Sequence, residues 1–212
     1  MTRKKADLRV RRTQMVLREA LIALIEERGF DAVTVGDLAE RAMVNRTTFY
    51  LHYQDKYDLV TSIFREAVDE LSKSLGTPLE GPGRVDPEHP PQMWVKLFEH
   101  FALHARMYRA LLSQRGSPWF VAQVCEYVAD LAQKRLEASR QPSNRYRMPS
   151  EVAIAAISNV FIGMVTRWLE GEQQHTPKQM ATWFLSFALY GYYHALGFDA
   201  FLSPEGRKTN KQ

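Results

Sequence analysis

The sequence predicts an all-α fold, with three helices at the N-terminal end and a larger helical region after them. Apolar residues recur at helical spacing along most of the 212-residue chain, and no segment alternates as a strand would. Residues that favour helix starts, such as Thr, Asn or Ser followed by Pro, precede several of these segments. Segment 76–91 holds five prolines and three glycines, so it is predicted to be a mobile loop.

The composition indicates an ordered globular protein. Hydrophobic residues make up 45% of the chain and aromatic residues 11%, which is unlike a disordered chain. The single cysteine, Cys125, cannot form an internal disulfide and favours a reducing compartment. No apolar segment follows the basic stretch Met1–Lys5, and the longest apolar run, Val152–Val165, is too short to span a bilayer. We therefore expect a soluble, cytoplasmic protein with no membrane partner.

The first helix is predicted to span Thr13–Arg28. Its apolar stripe consists of Leu17, Ala20, Leu21, Leu24 and Ile25. Gly29 supplies the left-handed residue that ends many helices, and Phe30 is placed to fold back against it. The residues before this helix are strongly basic: Arg3, Lys4, Lys5, Arg9, Arg11 and Arg12. Such a run is typical of a solvated, frayed tail, or of an arm (residues 1–10) that contacts phosphates or a minor groove.

Two short helices and a long one follow. Thr34 and Asp37 match the capping-box pattern and start the second helix. Its core side consists of Val35, Leu38, Ala39 and Ala42. After a short turn, Asn45 can cap a third helix, Arg46–Tyr53. A longer helix, Lys56–Leu75, carries a regular apolar stripe.

Five further helices are predicted beyond the loop: Gln92–Ala105, Met107–Ser113, Pro118–Arg140, Ser150–Glu170 and a last helix that ends at Gly197. Ser117 before Pro118 is a cap followed by proline at the first helical position. Thr176 to Gln179 combines a capping box with the same use of proline and opens the last helix. The polar tail Pro204–Gln212 is predicted to be disordered.

The third predicted helix has an aromatic face and a second face that carries hydroxyl groups and a leucine. At about 100° per residue, Phe49 and Tyr53 fall on one side, whereas Thr47, Tyr50 and Leu51 fall on the other. The first side can pack on the preceding helices and hold the helix rigidly. The second suits a DNA major groove, since hydroxyls can bond base edges or phosphates and a leucine can touch a thymine methyl. A plain three-helix packing unit would show the same spacing.

The residues of this region resemble the DNA-binding domain of the TetR/AcrR family of bacterial transcriptional regulators. The matching features, in order, are Phe30 after glycine, Thr34-Val35, Val44-Asn45, Phe49-Tyr50, His52-Tyr53 and Lys56. The resemblance is ungapped and covers roughly residues 13–71. Two positions depart from the family: where this chain has Thr47 and Met43, family members often have glycine. Thr47 could alter which bases are read.

The resemblance implies an all-helical homodimer with a DNA-binding domain at residues 11–71 and a regulatory and dimerisation domain at 72–212. By position, the family's usual DNA contacts fall on Thr34, Asn45, Arg46, Thr47, Tyr50, Leu51, His52 and Lys56. His52 is equally explained as a histidine on the flank of the helix. The implied partners are a double-stranded DNA operator and a small-molecule effector whose identity the sequence does not reveal.

The last two helices are the predicted dimer interface. Family members pair these helices with their copies in a four-helix bundle. Ser150–Glu170 carries small residues beside large apolar ones, and Ala181–Leu196 is apolar on nearly every side. A fully buried helix within one subunit would look similar, but we favour the dimer.

A ligand pocket is implied by the same resemblance. Its predicted lining is Trp94, Phe98, Phe101, Tyr108, Phe120, Val124, Tyr127, Phe161 and Trp168. Aromatic residues at helical spacing are mostly core, so the residues themselves do not reveal a pocket.

The sequence contains no motif of a cofactor or catalytic site. It lacks a phosphate-binding loop, a dinucleotide fingerprint and a nucleophile elbow. His100 and His104 stand one helical turn apart, but no further ligand is placed to complete a metal site. We expect no cofactor, no metal and no enzymatic activity. The sequence therefore predicts a homodimeric repressor that a small molecule releases from a palindromic operator; the alternative is an adapter of the same fold that binds a ligand or a partner protein instead of DNA.

Overall fold

The computed structural model describes residues 2–75, 86–138, 148–171 and 174–193, and these contain helices and turns without a strand. The predicted tail and most of the predicted loop at 76–91 lie outside the described residues, as does the predicted end of the last helix. The helices are α1 (Thr2–Arg28), α2 (Val35–Arg41), α3 (Arg46–Tyr50), α4 (Lys56–Leu75), α5 (Gln92–Leu103), α6 (Ala105–Leu112), α7 (Pro118–Ala138), α8 (Ser150–Glu170) and α9 (Pro177–Phe187). A π-helical stretch, Ala188–Tyr193, continues α9.

The predicted bounds of α4 and α8 are confirmed, whereas α1 and α3 differ from the prediction. The helix α1 begins at Thr2 instead of Thr13, so the predicted basic arm is helical. Arg, Lys, Ala and Leu are strong helix formers, and no Gly or Pro interrupts the chain before Gly29. The helix α3 ends at Tyr50, and the chain turns at Leu51 and His52 before reaching the buried Tyr53.

The chain forms two compact units. The first unit contains α1 to α4 together with His104–Val121, and the second contains α5, the remainder of α7, α8 and α9. The predicted division at residue 72 assigned α6 to the C-terminal domain, but α6 packs in the first unit. Its Arg106 donates to Glu26 at 2.8 Å and to Glu19 at 2.9 Å on α1, and its Met107 and Leu111 are buried.

The core of the first unit is built from the predicted apolar stripes. Its largest fully buried side chains are Leu17, Leu21, Ile25, Phe30, Leu38, Phe49, Leu59, Leu111 and Phe120. Gly29 has φ of +83°, which is the left-handed conformation predicted for it, and the Phe30 side chain that follows is buried. Burial of one such aromatic side chain stabilises a fold by about 1.5–3 kcal/mol.

Lys56 joins the first turn of α4 to the loop between α1 and α2. Its ammonium donates to the carbonyl oxygens of Phe30 at 3.0 Å, Asp31 at 3.1 Å and Val33 at 3.0 Å. The same nitrogen lies 4.5 Å from the centroid of the Phe30 ring, within cation–π distance. Three hydrogen bonds use all three hydrogens of an ammonium group. Lys56 therefore fixes the loop that leads into α2.

The second unit is organised around Phe98 on α5, which is fully buried. Its ring makes edge contacts with Phe161 and Trp168 on α8 and with Phe184 on α9, at centroid distances of 5.9, 5.8 and 6.5 Å. Trp168 Nε1 donates to the carbonyl of His175 at 2.9 Å and so ties α8 to the start of α9. Among the described helices, α8 has the length and apolarity that a membrane span needs, and half of its most apolar stretch is buried inside the protein, as in a core helix.

The Lys56 bonds predict a stability effect. Replacing Lys56 with Met keeps the apolar stem but leaves three carbonyl oxygens without their donor. We expect the free energy of unfolding to fall by about 1–3 kcal/mol, the cost of unmade bonds to a charged group. Chemical denaturation of Lys56→Met measures this, with Lys73→Met, a change at an exposed lysine of the same helix, as the matched control. Equal stability of the two variants would contradict the role assigned to Lys56.

The cap of α2 predicts a dependence on pH. The Asp37 carboxylate accepts from the Thr34 hydroxyl at 2.6 Å, the Thr34 amide at 2.8 Å and Arg28 at 2.8 Å. These bonds, the Thr34 hydroxyl first, lower the pKa of Asp37 from 3.8 to about 2. A lowered carboxyl pKa stabilises the fold above pH 3.8, and this contribution disappears as the pH falls towards 2. The difference in thermal midpoint between the wild type and Asp37→Asn should thus be constant near neutral pH and shrink between these values.

Candidate nucleic-acid interface

The helix α3 presents an exposed side above a buried underside. Phe49 is 0% and Tyr53 5% exposed, with ring centroids 5.7 Å apart, so the aromatic underside lies in the core of the first unit. On the other side, Tyr50 is 58% and Leu51 77% exposed, and Thr47 is exposed as well. The two faces predicted from the sequence are confirmed.

The turn between α2 and α3 is tight and bonded through the backbone. Met43 N–H donates to the carbonyl of Glu40 at 3.0 Å, and Val44 N–H donates to that of Ala39 at 2.9 Å. Met43 has φ of +53°, a left-handed conformation that glycine adopts more readily. This is the position where the resembling family often has glycine. The Asn45 side chain accepts from Thr47 N–H at 2.9 Å and caps α3 as predicted.

The cations around α3 are mostly held by the protein itself. Arg41 pairs with Glu27 through two bonds of 2.7 and 2.6 Å, and Arg28 pairs with Asp37. Arg46, at the first position of α3, is exposed, and no hydrogen bond or ion pair holds it within the described part of the chain. Among the basic residues from 28 to 56, Arg46 is therefore the cation free to meet an outside anion.

The structure brings most of the predicted DNA contacts to one surface. Arg46, Thr47, Tyr50 and Leu51 all belong to α3 or its C-cap and are exposed. Thr34 and Asn45 are exposed too, but the Thr34 hydroxyl is engaged with Asp37 and the Asn45 side chain with Thr47 N–H. The two residues position α2 and α3 whether or not they touch DNA.

His52 and Lys56 depart from this surface. His52 is half-buried, and its ring lies 6.2 Å from that of Tyr53. Lys56 is one of the DNA contacts that the family resemblance implies. Its three carbonyl bonds leave no ammonium hydrogen for a phosphate, so we reassign it to the support of the loop before α2.

Gly36 is a residue of this surface that the sequence analysis missed. A side chain at this position of α2 would overlap the Arg46 guanidinium nitrogen Nη2 and would lie 3.1 Å from its Cζ. Arg46 therefore rests against bare backbone. The signal in the sequence was the glycine itself, because glycine within a helix is destabilising unless something needs the space.

The predicted ligand-pocket residues divide between the two units. Trp94, Phe98, Phe101, Phe161 and Trp168 lie in the second unit, and Phe184, which the prediction omitted, lies among them. Their rings are in direct edge contact, with Phe161 and Phe184 only 5.0 Å apart between centroids. In this structure the group is a packed aromatic core, which was the other interpretation of these residues.

The remaining pocket residues are placed differently. Tyr108 and Phe120 belong to the first unit, where Phe120 contacts Phe64 at 5.5 Å between ring centroids, whereas Phe98 belongs to the second unit. Val124 and Tyr127 lie in the second unit on α7; Val124 is buried and Tyr127 is half-buried. Sequence spacing along α7 could not show that its first turn packs in a different unit from the rest.

No cluster of three or more potential metal ligands occurs among the described residues. His100 is buried in the second unit, whereas His104 is in the first unit, with Nε2 3.2 Å from a Glu70 carboxylate oxygen. Cys125 is half-buried, and burial raises the pKa of its thiol, which makes it less nucleophilic at neutral pH.

Two family models match the chain. Residues 17–63 match the model described as bacterial regulatory proteins, tetR family, and residues 88–189 match the one described as transcriptional regulator C-terminal region. Together they cover well over half of the chain. The first match includes every predicted DNA-contact residue.

Relatives with similar sequences are named as transcriptional regulators. The chain is 34% identical over 59 residues to the uncharacterized HTH-type transcriptional regulator YxbF of Bacillus subtilis (strain 168), covering 28% of this chain and 16% of that protein. It is 30% identical over 105 residues to the HTH-type transcriptional regulator EthR of Mycobacterium tuberculosis, covering 48% of this chain and 47% of EthR. The chain thus spans less than half the length of these curated relatives.

A solved structure extends the likeness of the fold over nearly the whole chain. The TetR transcriptional regulator from Streptococcus agalactiae 2603V superposes with a TM-score of 0.61 at 21% identity, covering 88% of this chain and 98% of that one. The α2–turn–α3 geometry, the two family models and the named relatives agree. The chain belongs to the TetR family of bacterial transcriptional regulators.

Proposed function

We propose that this protein is a homodimeric repressor that binds a palindromic operator with one α3 per subunit and leaves it when a small molecule binds. The observation that carries the proposal is the exposed side of α3, where Thr47, Tyr50 and Leu51 stand above a buried aromatic underside. A helix held this rigidly can enter a major groove without a further loss of conformational entropy.

Each side chain of the exposed face suits a particular contact. The Thr47 hydroxyl can bond a base edge, and the Leu51 side chain can pack on a thymine methyl. The Tyr50 hydroxyl and the Arg46 guanidinium suit phosphate oxygens, which position the protein without reading sequence. Two α3 helices related by a two-fold axis would then read half-sites separated by about one turn of DNA, roughly 34 Å.

The dimer of the proposal forms through α8 and α9. Along α9 and its π-helical continuation, Trp183, Phe187 and Tyr190 are 44%, 52% and 62% exposed at helical spacing. On α8, Val152 is exposed, and a Cβ added to Gly163 would meet no atom within 4 Å. Large apolar side chains beside small ones are the composition that allows two helices to approach closely.

The effector of the proposal binds in the second unit. The aromatic rings around Phe98 offer apolar surface of the kind that lines small-molecule sites. Because these rings are in contact in this structure, a ligand would have to separate some of them. One conformation of the protein binds the operator and another does not. The ligand would release DNA only if its affinity for the second conformation were higher than its affinity for the first.

Operator binding places the protein in the cytoplasm, with DNA and not a membrane as its partner. The apolarity of α8 is consistent with this, because one part of the helix is buried in the second unit and the exposed part belongs to the proposed dimer face. The proposed role needs neither a cofactor nor a catalytic group.

The DNA-binding surface predicts the effect of a double substitution. Arg46→Ala with Tyr50→Ala removes an exposed cation and an exposed phenol from α3 and leaves every buried side chain in place. We expect operator affinity to fall at least about 100-fold, because each half-site loses a charge-assisted bond and a hydroxyl contact. Mobility shifts on a sequence obtained by selection from random DNA measure this. The matched control is Leu131→Ala with Lys134→Ala, an exposed apolar residue and an exposed lysine of α7.

Unchanged DNA binding by the folded α3 variant would overturn the proposed site. If the wild type selected no sequence at low salt, while the helical content and thermal midpoint were those of a folded protein, the adapter alternative would replace the repressor.

The dimer face predicts a change in oligomeric state. Phe187→Glu places a charge in the proposed apolar interface, so the dimer should dissociate at micromolar concentration because an unpaired carboxylate is costly to bury. Sedimentation equilibrium measures the mass. Leu131→Glu, which charges an apolar residue of similar exposure on α7, is the control and should remain dimeric. A dimeric Phe187→Glu protein would place the interface elsewhere.

A further inference from the structure

Gly36 and Arg46 form a matched pair across the turn between α2 and α3. The Nη2 end of the guanidinium lies against the glycine, since an added Cβ would overlap Nη2 and would lie 3.1 Å from Cζ and 3.4 Å from Nε. Gly36 does not have a positive φ, so the backbone conformation does not require glycine. The second position of a seven-residue helix is also unfavourable for glycine compared with alanine. The backbone therefore gives no reason for a glycine at this position, whereas the guanidinium does.

We propose that Gly36 is a positioning residue that directs the Arg46 guanidinium to a DNA phosphate. The inference rests on the proposed operator binding and adds a residue to it. Arg46 is at the start of α3, yet its side chain folds back over α2 instead of following the exposed side of α3. In helix-turn-helix proteins the first helix of the pair lies across the DNA backbone, and the second enters the groove. A guanidinium resting on α2 is thus placed for a phosphate, and base edges are left to Thr47 and its neighbours.

The chemistry of Arg46 supports this assignment. Guanidinium groups bind phosphate oxygens through two parallel bonds, provided that the plane of the group is held in a suitable direction. Arg28, Arg41 and Lys56 already have partners within the protein, whereas Arg46 has none among the described residues. The α2 backbone at Gly36 limits the directions open to the Arg46 side chain, which nothing else restrains among the described residues.

The substitution that tests the proposal changes the direction of the Arg46 side chain without lowering the stability of the fold. In Gly36→Ala the methyl displaces only the far end of a flexible side chain, and alanine favours the helix. The thermal midpoint should therefore equal or exceed that of the wild type. Operator affinity should nevertheless fall about tenfold or more, as expected when each half-site forms one charge-assisted bond fewer. Sequence preference should be unchanged, because phosphate contacts carry none.

Three variants of the full-length protein complete the experiment: Gly36→Ala, Arg46→Ala and the two combined. The affinity of each for the selected operator is measured from 50 to 300 mM KCl. Each single variant should reduce the steepness of log K against log salt by about two, because a dimer that binds two fewer phosphates releases fewer counterions, at about 0.9 per phosphate. The combined variant should bind as Arg46→Ala does, because Gly36 acts through Arg46.

The outcomes that overturn the proposal are distinct. Wild-type affinity and salt dependence in Gly36→Ala would show that Arg46 needs no such surface. A weaker affinity of the combined variant than of Arg46→Ala would show that the methyl obstructs DNA directly. A wild type that binds no operator at all would overturn the proposed function along with this inference.

Discussion

Burial of Phe49 is the interaction on which the proposed DNA-binding surface depends. The helix α3 has five residues, far fewer than an isolated helix needs to be stable in water. It is helical because Phe49 is fully buried, Tyr53 closes the following turn and Asn45 caps its start. Loss of the Phe49 ring would cost about 3–5 kcal/mol. It would also release Thr47 and Tyr50 from their common side, so stability and the proposed recognition of DNA depend on the same side chain.

Most basic side chains around α2 and α3 bind groups of the protein itself. A surface that meets DNA is expected to be rich in free cations, yet Arg28, Arg41 and Lys56 are used to bind Asp37, Glu27 and backbone carbonyls. These bonds hold the short α2 and its flanking loops in place beside α1 and α4. Exposed ion pairs contribute little to stability, about 0–1 kcal/mol each, so their main effect is on orientation. Because these cations are paired, they attract phosphates less strongly, but they hold α2 and α3 in a defined geometry.

The sequence was informative wherever the determining interactions were local. The period of the helix set the two sides of α3, and caps such as Thr34 with Asp37 involve residues only three positions apart. Lys56 was misassigned because its acceptors lie 23 to 26 residues earlier, and nothing in its neighbourhood in the sequence indicates them. The same reason explains why the packing of α6 in the first unit was not predicted: Arg106 finds Glu19 and Glu26 on α1 only in the folded chain. The packing of Arg46 on Gly36 is likewise a contact between residues of different helices, which the sequence around either residue does not indicate.

Two groups of apolar side chains are exposed on the surface of the subunit. One group, Met43, Tyr50 and Leu51, surrounds α3; the other, Val152, Trp183, Phe187 and Tyr190, lies on α8 and α9. Leaving such residues in water is unfavourable, which indicates surfaces that partners cover. The two proposed associations respond differently to salt, because apolar burial is not screened whereas phosphate contacts release counterions. The proposed dimer would thus persist at ionic strengths at which the protein has left the DNA, so the proposed dissociation from the operator does not require separation of the subunits.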